Sequence, residues 1–160
     1  MDIQLKEYLA KHKIKYKIHE HPAVFTVEQS KNIEAIQKIP GMRSKNLFLR
    51  DENHNFYLVC MLGEKRLNIK TLEKKLGVKK LNFASAEDLK FELNLTPGSV
   101  SIFAMINAKN TKLIIDKELW DAEITGFHPN INTATLEIQH KDLEKFISSL
   151  KCSKEILKLE

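Results

Sequence analysis

The stretch Pro40-Gly41-Met42-Arg43-Ser44-Lys45-Asn46-Leu47-Phe48-Leu49-Arg50-Asp51 places a turn, a polar cluster and an apolar run directly after one another. The Pro-Gly pair is typical of a turn, and residues 46–50 are typical of a buried strand. Polar side chains where a loop enters a core strand are held rigidly and still face outward. We therefore predict that Lys45 and Asn46 contact a substrate and that residues 126–130 (GFHPN) supply the opposite wall.

The composition predicts one domain over residues 1–160, long enough to bury a core. Hydrophobic residues make up 42% of the chain, and no apolar run approaches the ~20 residues that a bilayer-spanning helix requires. The first residues lack a signal-peptide core, and two cysteines are too few for a disulfide framework. We expect a cytoplasmic protein without a membrane partner.

The charge balance favours an anionic partner. Lys and Arg total 26 against 21 Asp and Glu, giving a net charge of +5, which suits RNA or a nucleotide. Charge alone is equally typical of a lysine-coated soluble surface. The three arginines, Arg43, Arg50 and Arg66, all fall in one short region, and the guanidinium fork suits phosphate better than an ammonium does.

Hydrophobic periodicity and turn residues predict strands and helices without a regular β-α-β alternation. We expect strands at residues 15–19, 46–50, 56–62, 80–83, 100–106, 113–116, 123–127 and 133–138. We expect helices after the caps Asp2, Thr26, Asn68 and Ser85, the second spanning 27–38, and a last helix at 141–150. Residues 151–160 are weakly patterned. The pattern favours an α+β fold with a mixed sheet.

Several possible catalytic or metal sites have weak support. His19 and His21 would share one face of a strand, as metal ligands often do, but no third ligand is suggested nearby. Cys60 lies in an apolar strand and is more typical of a buried small residue than of a nucleophile. The chain has no Gly-x-Ser-x-Gly motif and no glycine-rich phosphate loop.

Lys45 and the loop at residues 126–133 each allow two interpretations. The Lys45 stem could simply pack on the sheet edge with its ammonium in water, which its position alone favours. Alternatively, the ammonium could be a fixed charge in a cleft, aimed at a phosphate or a developing oxyanion. The loop could be a long hairpin turn built from Pro and Asn, or a substrate-facing loop in which His128 lines a pocket.

Taken together, the motifs resemble the YbaK/ProX family of aminoacyl-tRNA deacylases, which are related to the editing domain inserted in bacterial prolyl-tRNA synthetase. The residues that carry the resemblance extend through most of the chain: 21–28 (HPAVFTVE), 40–41 (PG), 45–49 (KNLFL), 63–67 (GEKRL), 95–100 (LTPGSV), 127–130 (FHPN) and 132–135 (NTAT). The likeness is strongest to the free-standing branch, called PrdX or ProXp-ala. It implies a compact α+β domain with a strongly curved, barrel-like mixed sheet flanked by helices.

The resemblance implies hydrolysis of alanine mischarged onto proline tRNA, with no metal and no other cofactor. An aminoacyl-tRNA ester is already activated, so the enzyme has mainly to bind the ester, place a water and stabilise the oxyanion. The expected partners are mischarged tRNA(Pro) and, transiently, prolyl-tRNA synthetase; neither DNA nor a membrane is expected. A second site that admits only the smaller amino acid would correct errors that the synthetase pocket cannot exclude.

The resemblance also implies roles for individual residues. Lys45 and Asn46 would be catalytic, with Lys45 holding the 3′ end of the tRNA. The expected substrate-binding residues are Phe25, Thr26, Gly98, Ser99, Gly126 and His128, and the expected tRNA contacts are Arg43, Lys65 and Arg66.

One departure from the family pattern concerns the Gly-x-x-x-Pro loop. Read from Gly98, the loop has Ile102 where the family has Pro, and Pro fixes φ and removes a donor. Two alternatives therefore stay open: a deacylase for another small amino acid such as Cys, Ser or Thr, or a non-catalytic module that binds tRNA or a synthetase.

Overall fold

The computed structural model describes residues 1–159, which form one mixed sheet and its flanking helices. The helices are α1 (Ile3–Lys11), α2 (Val27–Ser30), α3 (Glu34–Gln37), α4 (Ile69–Leu76), α5 (Ala86–Leu93), α6 (Lys117–Trp120) and α7 (His140–Ser149), with a 3-10 helix at Ile102–Asn107. The strands are β1 (Lys17–Glu20), β2 (Met42–Asp51), β3 (Phe56–Leu62), β4 (Leu81–Phe83), β5 (Thr111–Asp116), β6 (Ile124–Phe127), β7 (Ala134–Gln139) and β8 (Lys154–Leu157). No helix within these residues has the length and apolar character needed to cross a membrane.

The sheet is built around β2. Its strand order is β1-β7-β6-β2-β3-β5-β8, and β4 pairs with β2 as well. β2 runs antiparallel to β3 and β4 and parallel to β6, whereas β3, β5 and β8 are parallel neighbours. This mixture confirms the predicted α+β fold. Among the described strands β1 and β8 remain edges, so the sheet does not close on itself.

Local signals in the sequence account for most of the long helices. The Asp2 carboxylate caps α1 by accepting a backbone N–H of the first turn. Asn68 caps α4 in the same way, and Gly77 ends it with a φ of +69° that favours glycine. Ser85 and Asp88 form a reciprocal capping box at the start of α5. These helix boundaries agree with the predicted ones because each depends on residues close in sequence.

Two cores hold the hairpin of β2 and β3 from opposite faces. Phe48 and Leu58 face the larger core, which α1, α5, α7 and the 3-10 helix complete. Leu49 and Val59 face the smaller core, which Leu72 of α4 covers. Side chains alternate between the two faces along each strand. Packing on both faces therefore fixes the backbone of β2, including its polar amino-terminal half.

The predicted single helix at residues 27–38 is wrong, because two one-turn helices replace it. The Ser30 carbonyl accepts the Gln37 side-chain amide at 2.9 Å, which ties α2 to α3 across a bend. The Thr26 hydroxyl does cap α2 at 3.1 Å, but Gln29 bonds the N–H of the residue before Thr26. Thr26 and Gln29 have the sequence spacing of a reciprocal capping box, which is therefore only half formed.

The predicted strand at residues 100–106 is also wrong. The Ser101 hydroxyl accepts the N–H of Phe103 at 3.2 Å and starts the 3-10 helix. All residues from Ile102 to Met105 are buried. A short run that is buried on every side carries no periodicity that separates a strand from a helix.

Two strand boundaries depend on partners that are distant in sequence. β8, in the weakly patterned tail, pairs in parallel with β5. β2 begins at Met42 rather than at Asn46, since β6 pairs with its first two residues. Lys45 and Asn46 consequently lie within the strand, not in a loop that enters it.

Candidate active site

A cavity of about 550 Å³ opens at the amino-terminal half of β2. Its walls come from β2, the α2–α3 segment, Gly98 and the adjoining ends of β6 and β7. The predicted site residues that line it are Phe25, Thr26, Arg43, Lys45, Asn46, Gly98, Gly126 and His128, whereas Ser99, Lys65 and Arg66 do not. The structure thus brings the two predicted walls to one cavity.

The pairing of β2 leaves part of its length uncovered at this cavity. On one side, β3 pairs with the strand throughout Ser44–Arg50. On the other side, β6 pairs only with residues 42–43 and β4 only with residues 49–51. Residues 45–47 therefore lie in a gap between β6 and β4, where no described strand covers them.

Lys45 lies in this gap, and its ammonium has no hydrogen bond or ion pair with any described residue. Burial lowers the pKa of Lys45 below its ordinary value, and the positive charge of Arg66 lowers the pKa further, while Glu64 opposes the shift. A partly desolvated ammonium that makes no hydrogen bond or ion pair with the described residues has its hydrogen-bonding capacity available to an anionic ligand or to an oxygen that gains negative charge.

Asn46 contributes differently from Lys45, because consecutive residues of a strand face opposite sides. Its side-chain oxygen accepts the Cys60 thiol at 2.7 Å. Backbone bonds alternate between neighbours in an antiparallel pair. Since the Arg43 carbonyl and the Asp51 N–H bond toward β3 and its turn, the Asn46 N–H and carbonyl point into the gap. Asn46 therefore offers backbone groups at the cavity, while its side-chain oxygen is already bonded.

Arg43 joins the cavity wall to α3. Its Nη2 donates to the Ile36 carbonyl, and its Nε is buried without a partner among residues 1–159. The Arg43 carbonyl accepts the N–H of Gly63 at 2.9 Å. Arg43 thus holds α3 and the loop after β3 against β2, and its contact with tRNA remains a prediction.

Gly126 and His128 form the opposite wall. The Ser44 hydroxyl donates to the Gly126 carbonyl at 2.6 Å, which fixes the end of β6 against β2. A Cβ on Gly126 would lie 3.1 Å from Cγ2 of Thr135, so a side chain there would crowd the wall. His128 Nδ1 lies 2.9 Å from the Ala134 carbonyl. Burial lowers the pKa of His128, and His21 adds to this, although the bond to Ala134 opposes it.

Phe25 and Gly98 form one rim of the cavity. Gly98 has a φ of +91°, and a Cβ there would lie 2.9 Å from the Phe25 ring. The ring itself is 65% exposed, so it extends the cavity wall into solvent. Ile102, which stands where the family pattern has Pro, is fully buried at the start of the 3-10 helix. Packing of Ile102, rather than a proline ring, therefore anchors this loop.

Lys65 and Arg66 lie outside the cavity. Lys65 Nζ is 2.8 Å from the buried carboxylate of Asp116 and 3.4 Å from that of Glu118. Burial alone would lower the pKa of Lys65, but the two carboxylates outweigh it and raise the pKa. Arg66 is exposed and acts on Lys45 only through its charge. The ammonium of Lys65 is thus occupied within the fold.

The weaker candidates take structural positions. His19 Nε2 bonds Glu137 at 2.9 Å, and His21 is buried. No group of three or more potential ligands for a metal comes together within residues 1–159. Cys60 is fully buried, and burial raises its pKa well above the ordinary value. Its thiol is therefore not a thiolate nucleophile.

No role was predicted from the sequence for six polar residues that line the cavity: Ser30, Lys31, Gln37, Ser44, Glu64 and Thr135. Thr135 lies within the motif 132–135 that carries the resemblance, but no local pattern assigns it a role. Its hydroxyl is 2.8 Å from His21 Nε2, a contact between residues 114 positions apart. Only the pairing of β1, β6 and β7 brings these side chains together.

The cavity has two chemically different walls. Lys45 supplies a positive charge without a partner on one side. On the other side His128 and Thr135 are buried or nearly so and carry no charge in their neutral forms. Such a site suits a ligand with an electronegative reacting centre at one end and hydrogen-bond donors at the other.

Comparisons with known proteins agree with this geometry. A family model described as the aminoacyl-tRNA editing domain matches residues 21–146. The prolyl-tRNA editing protein ProX of Acetoanaerobium sticklandii is 37% identical over 140 residues, covering 86% of this chain and 84% of that protein. The prolyl-tRNA synthetase associated domain-containing protein 1 of Danio rerio is 30% identical over 161 residues, covering 98% and 86%.

A solved structure gives the same fold at lower identity. The crystal structure of a candidate trans-editing enzyme for prolyl-tRNA synthetase superposes with a TM-score of 0.74 at 16% identity, covering 100% of this chain and 98% of that one. The matches confirm the resemblance inferred from the motifs. The chain belongs to the aminoacyl-tRNA editing domain family.

Proposed function

We propose that this protein hydrolyses Ala-tRNA(Pro) in trans, as a cytoplasmic deacylase that acts on tRNA released by prolyl-tRNA synthetase. The observation that carries the proposal is the ammonium of Lys45, which is without a partner in the gap of β2 and lines the same cavity as His128. Membership of the editing family and the name of the ProX relative support a prolyl-tRNA substrate.

The size of the cavity supports an aminoacylated nucleoside as the ligand. Pockets of about 300–1,000 Å³ bind ligands of drug size, and this cavity of about 550 Å³ falls within that range. A free amino acid would fill only a small part of it. The remaining space suits the terminal adenosine of a tRNA, and the positive charges of Arg43 and Lys45 at the cavity would favour its anionic backbone.

The reaction is hydrolysis of an ester that is already activated. A water oxygen adds to the carbonyl carbon, and the bond to the ribose oxygen breaks as that oxygen takes up the proton that water loses. The products are alanine and a tRNA with free 3′-terminal hydroxyls. Lys45 and the Asn46 N–H would stabilise the negative charge that develops on oxygen, since both groups face the gap in β2.

Amino-acid choice would depend on the wall opposite Lys45. His128, Gly126 and Phe25 would bound the space for the side chain and admit alanine while excluding the proline ring. A hydrophobic pocket separates ligands that differ by one methylene by only about 1–3 kcal/mol. Rejection of proline therefore requires steric exclusion by a rigid wall, which the bond between Ser44 and Gly126 supports.

Two alternatives remain. The buried Ile102 at the Gly98 loop favours a changed amino-acid preference, for example for Cys, Ser or Thr, because it alters how that loop is anchored. A non-catalytic tRNA-binding module would use the same cations without turnover. A transient complex with prolyl-tRNA synthetase is compatible with all three functions.

A panel of charged tRNAs tests the proposal. Substrate in excess over enzyme is offered as Ala-tRNA(Pro), Pro-tRNA(Pro), and tRNAs charged with Cys, Ser and Thr. We expect multiple turnovers of Ala-tRNA(Pro) while Pro-tRNA(Pro) stays intact. Comparable rates on all substrates would remove the alanine claim. Binding that weakens with salt, without any turnover, would instead favour the binding module.

A further inference from the structure

Two hydrogen-bond acceptors meet on the cavity wall opposite Lys45. Phe127 pairs with Leu136, so His128, one residue further along, lies across from Thr135. Directly opposed residues of an antiparallel pair place their side chains on one face, about 5 Å apart at Cβ. Gly126 has no side chain, which leaves the space beside them open to the cavity.

The hydrogen bonds of His21 fix the direction of the Thr135 hydroxyl. His21 Nδ1 lies 2.9 Å from the Pro22 carbonyl, and a carbonyl can only accept, so Nδ1 carries the proton of the neutral ring. His21 Nε2, 2.8 Å from Thr135 Oγ1, must then accept the threonine proton. The Thr135 oxygen is left with lone pairs only and can offer a ligand nothing but an acceptor.

A second backbone carbonyl fixes the tautomer of His128 in the same way. Its Nδ1 donates to the Ala134 carbonyl at 2.9 Å, so Nε2 of the neutral ring is an acceptor. No described residue bonds to Nε2. Burial favours the neutral ring, because it lowers the pKa of His128.

From this arrangement we propose that Thr135 Oγ1 and His128 Nε2 bind the α-ammonium group of the aminoacyl substrate, with His21 as the positioning residue that keeps Thr135 an acceptor. The inference rests on the proposed function and deepens it by naming the group that selects an amino acid over other acyl groups. A primary ammonium offers three donors and a positive charge, and charged donors make the stronger hydrogen bonds.

Nearby carboxylates are less suited to this task. Glu137, two residues along β7 from Thr135, is bonded to His19 and does not line the cavity. Glu64 does line it, but its side chain is 77% exposed and lies 3.6 Å from Lys31. Glu64 is also on the loop after β3, away from the wall that Thr135 and His128 form.

The experiment compares Ala-tRNA(Pro) with lactyl-tRNA(Pro), in which a hydroxyl replaces the α-ammonium at almost the same size. For each enzyme, kcat/KM is measured on both substrates and corrected for spontaneous hydrolysis. Hydrogen bonds to charged groups contribute about 1.5–3 kcal/mol, so we expect wild type to prefer the alanyl ester by about 10- to 100-fold. Thr135→Val should lower kcat/KM on the alanyl ester more than on the lactyl ester, so the preference for the alanyl ester should fall about 10-fold. Thr135→Ser keeps the hydroxyl and should keep the wild-type preference.

Matched controls separate recognition from folding. Thr125→Val makes the same change at a buried threonine of the neighbouring strand β6, whose hydroxyl has no partner within residues 1–159 and does not line the cavity. It should leave the preference unchanged. His21→Leu keeps Thr135 but frees its proton to turn toward the cavity, so it should narrow the preference even where Thr135→Val does not fold.

Four results would overturn the inference. Equal wild-type rates on both esters would remove it and leave the proposed function intact. If Thr135→Val and His21→Leu lowered kcat/KM equally on both esters, Thr135 and His21 would have a structural role only. A narrowed preference in Glu64→Gln would assign the ammonium to that carboxylate. Hydrolysis of neither ester by wild type would overturn the proposed function itself, and the inference with it.

Discussion

The polar groups at the two ends of strand β2 differ in their bonding: those at the turn end are bonded within the fold, and some of those at the cavity end have no partner among residues 1–159. At the turn end, the Asp51 carboxylate accepts two backbone N–H groups of the turn, the side-chain amide of Asn55 and the Tyr57 hydroxyl, all within 3.1 Å. At the cavity end, Lys45 has no partner, and Nε of Arg43 is buried without one among the described residues. One strand therefore carries a saturated polar group at Asp51 and unsaturated ones at Lys45 and Arg43, six and eight residues away.

The difference separates polar groups that stabilise the fold from polar groups kept for a ligand. Buried polar groups in proteins are nearly always bonded, so the exceptions call for an explanation. Hydrogen-bonding capacity that the fold leaves unused contributes little to stability and is available to a bound molecule. Substitutions at the saturated end should therefore change stability, and substitutions at the unsaturated end should change activity.

Lys65 gives the largest expected effect on stability. It sharpens the comparison because it follows β3 near the cavity end of β2, yet its ammonium, like the Asp51 carboxylate, is bonded within the fold. Among residues 1–159, Lys65→Met leaves the fully buried Asp116 carboxylate with only the Leu159 N–H at 3.0 Å. We expect the free energy of unfolding in urea to fall by about 3–5 kcal/mol. Activity per folded molecule should stay near that of wild type.

The double variant Lys65→Met with Asp116→Asn is the matched control. It removes the buried charge but keeps an oxygen for Leu159, so most of the lost stability should return. If Lys65→Met lowered the free energy of unfolding by less than about 1 kcal/mol, the Lys65–Asp116 ion pair would be as weak as an exposed one. In that case Lys65 would be free to serve as the tRNA contact that the sequence predicts.

Asp51 at the turn end should give the next largest effect. Asp51→Ala leaves the Tyr57 hydroxyl and two backbone donors without their acceptor, and we expect a loss of about 2–3 kcal/mol in the free energy of unfolding. Burial and the bond to Asp51 raise the pKa of Tyr57 to about 12. Deacylation by the folded variant should match wild type, because Asp51 is at the far end of β2 from the cavity.

The loss of stability in Asp51→Ala should depend on pH. Burial alone would raise the pKa of Asp51, but the hydrogen bonds from Asn55, Tyr57 and Asn53 outweigh it and lower the pKa. A lowered pKa contributes stability that is fully present above the unfolded-state value of about 3.9 and is lost as the pH falls through the folded-state value. The difference between wild type and Asp51→Ala should therefore shrink from about pH 7 to about pH 3. If the difference in free energy of unfolding did not change with pH, the ionised Asp51 carboxylate would not be the group that stabilises the turn.

The parts of the molecule that could be predicted from sequence are those set by near neighbours. The hairpin, the caps at Asp2, Asn68 and Ser85, and the end at Gly77 all depend on residues a few positions apart. The cavity residues at β2 were found because the polar cluster stands directly beside an apolar run. The family resemblance added the order of motifs that local physics cannot supply.

The parts that could not be predicted depend on contacts between distant segments. The partners of Lys65 and Thr135 lie 51 and 114 residues away, so their bonding follows only from the sheet order. The opposite orientations of Lys45 and Asn46 follow from the early start of β2, where β6 pairs with residues 42–43 and β3 pairs with residues 44–46. The position of Thr135 beside His128 likewise depends on the pairing of β6 with β7.

Lys45 should show the smallest effect on stability and the most direct effect on function. Its side chain makes no bond that the fold would lose, so Lys45→Ala should change the free energy of unfolding by no more than about 0.5 kcal/mol. The most direct test of the account is therefore kcat/KM on Ala-tRNA(Pro) for wild type and Lys45→Ala, with unfolding of both proteins measured in urea. The account predicts a loss of about 100- to 1,000-fold in activity at almost unchanged stability. Activity that survives in Lys45→Ala, or a loss that merely follows unfolding, would contradict it.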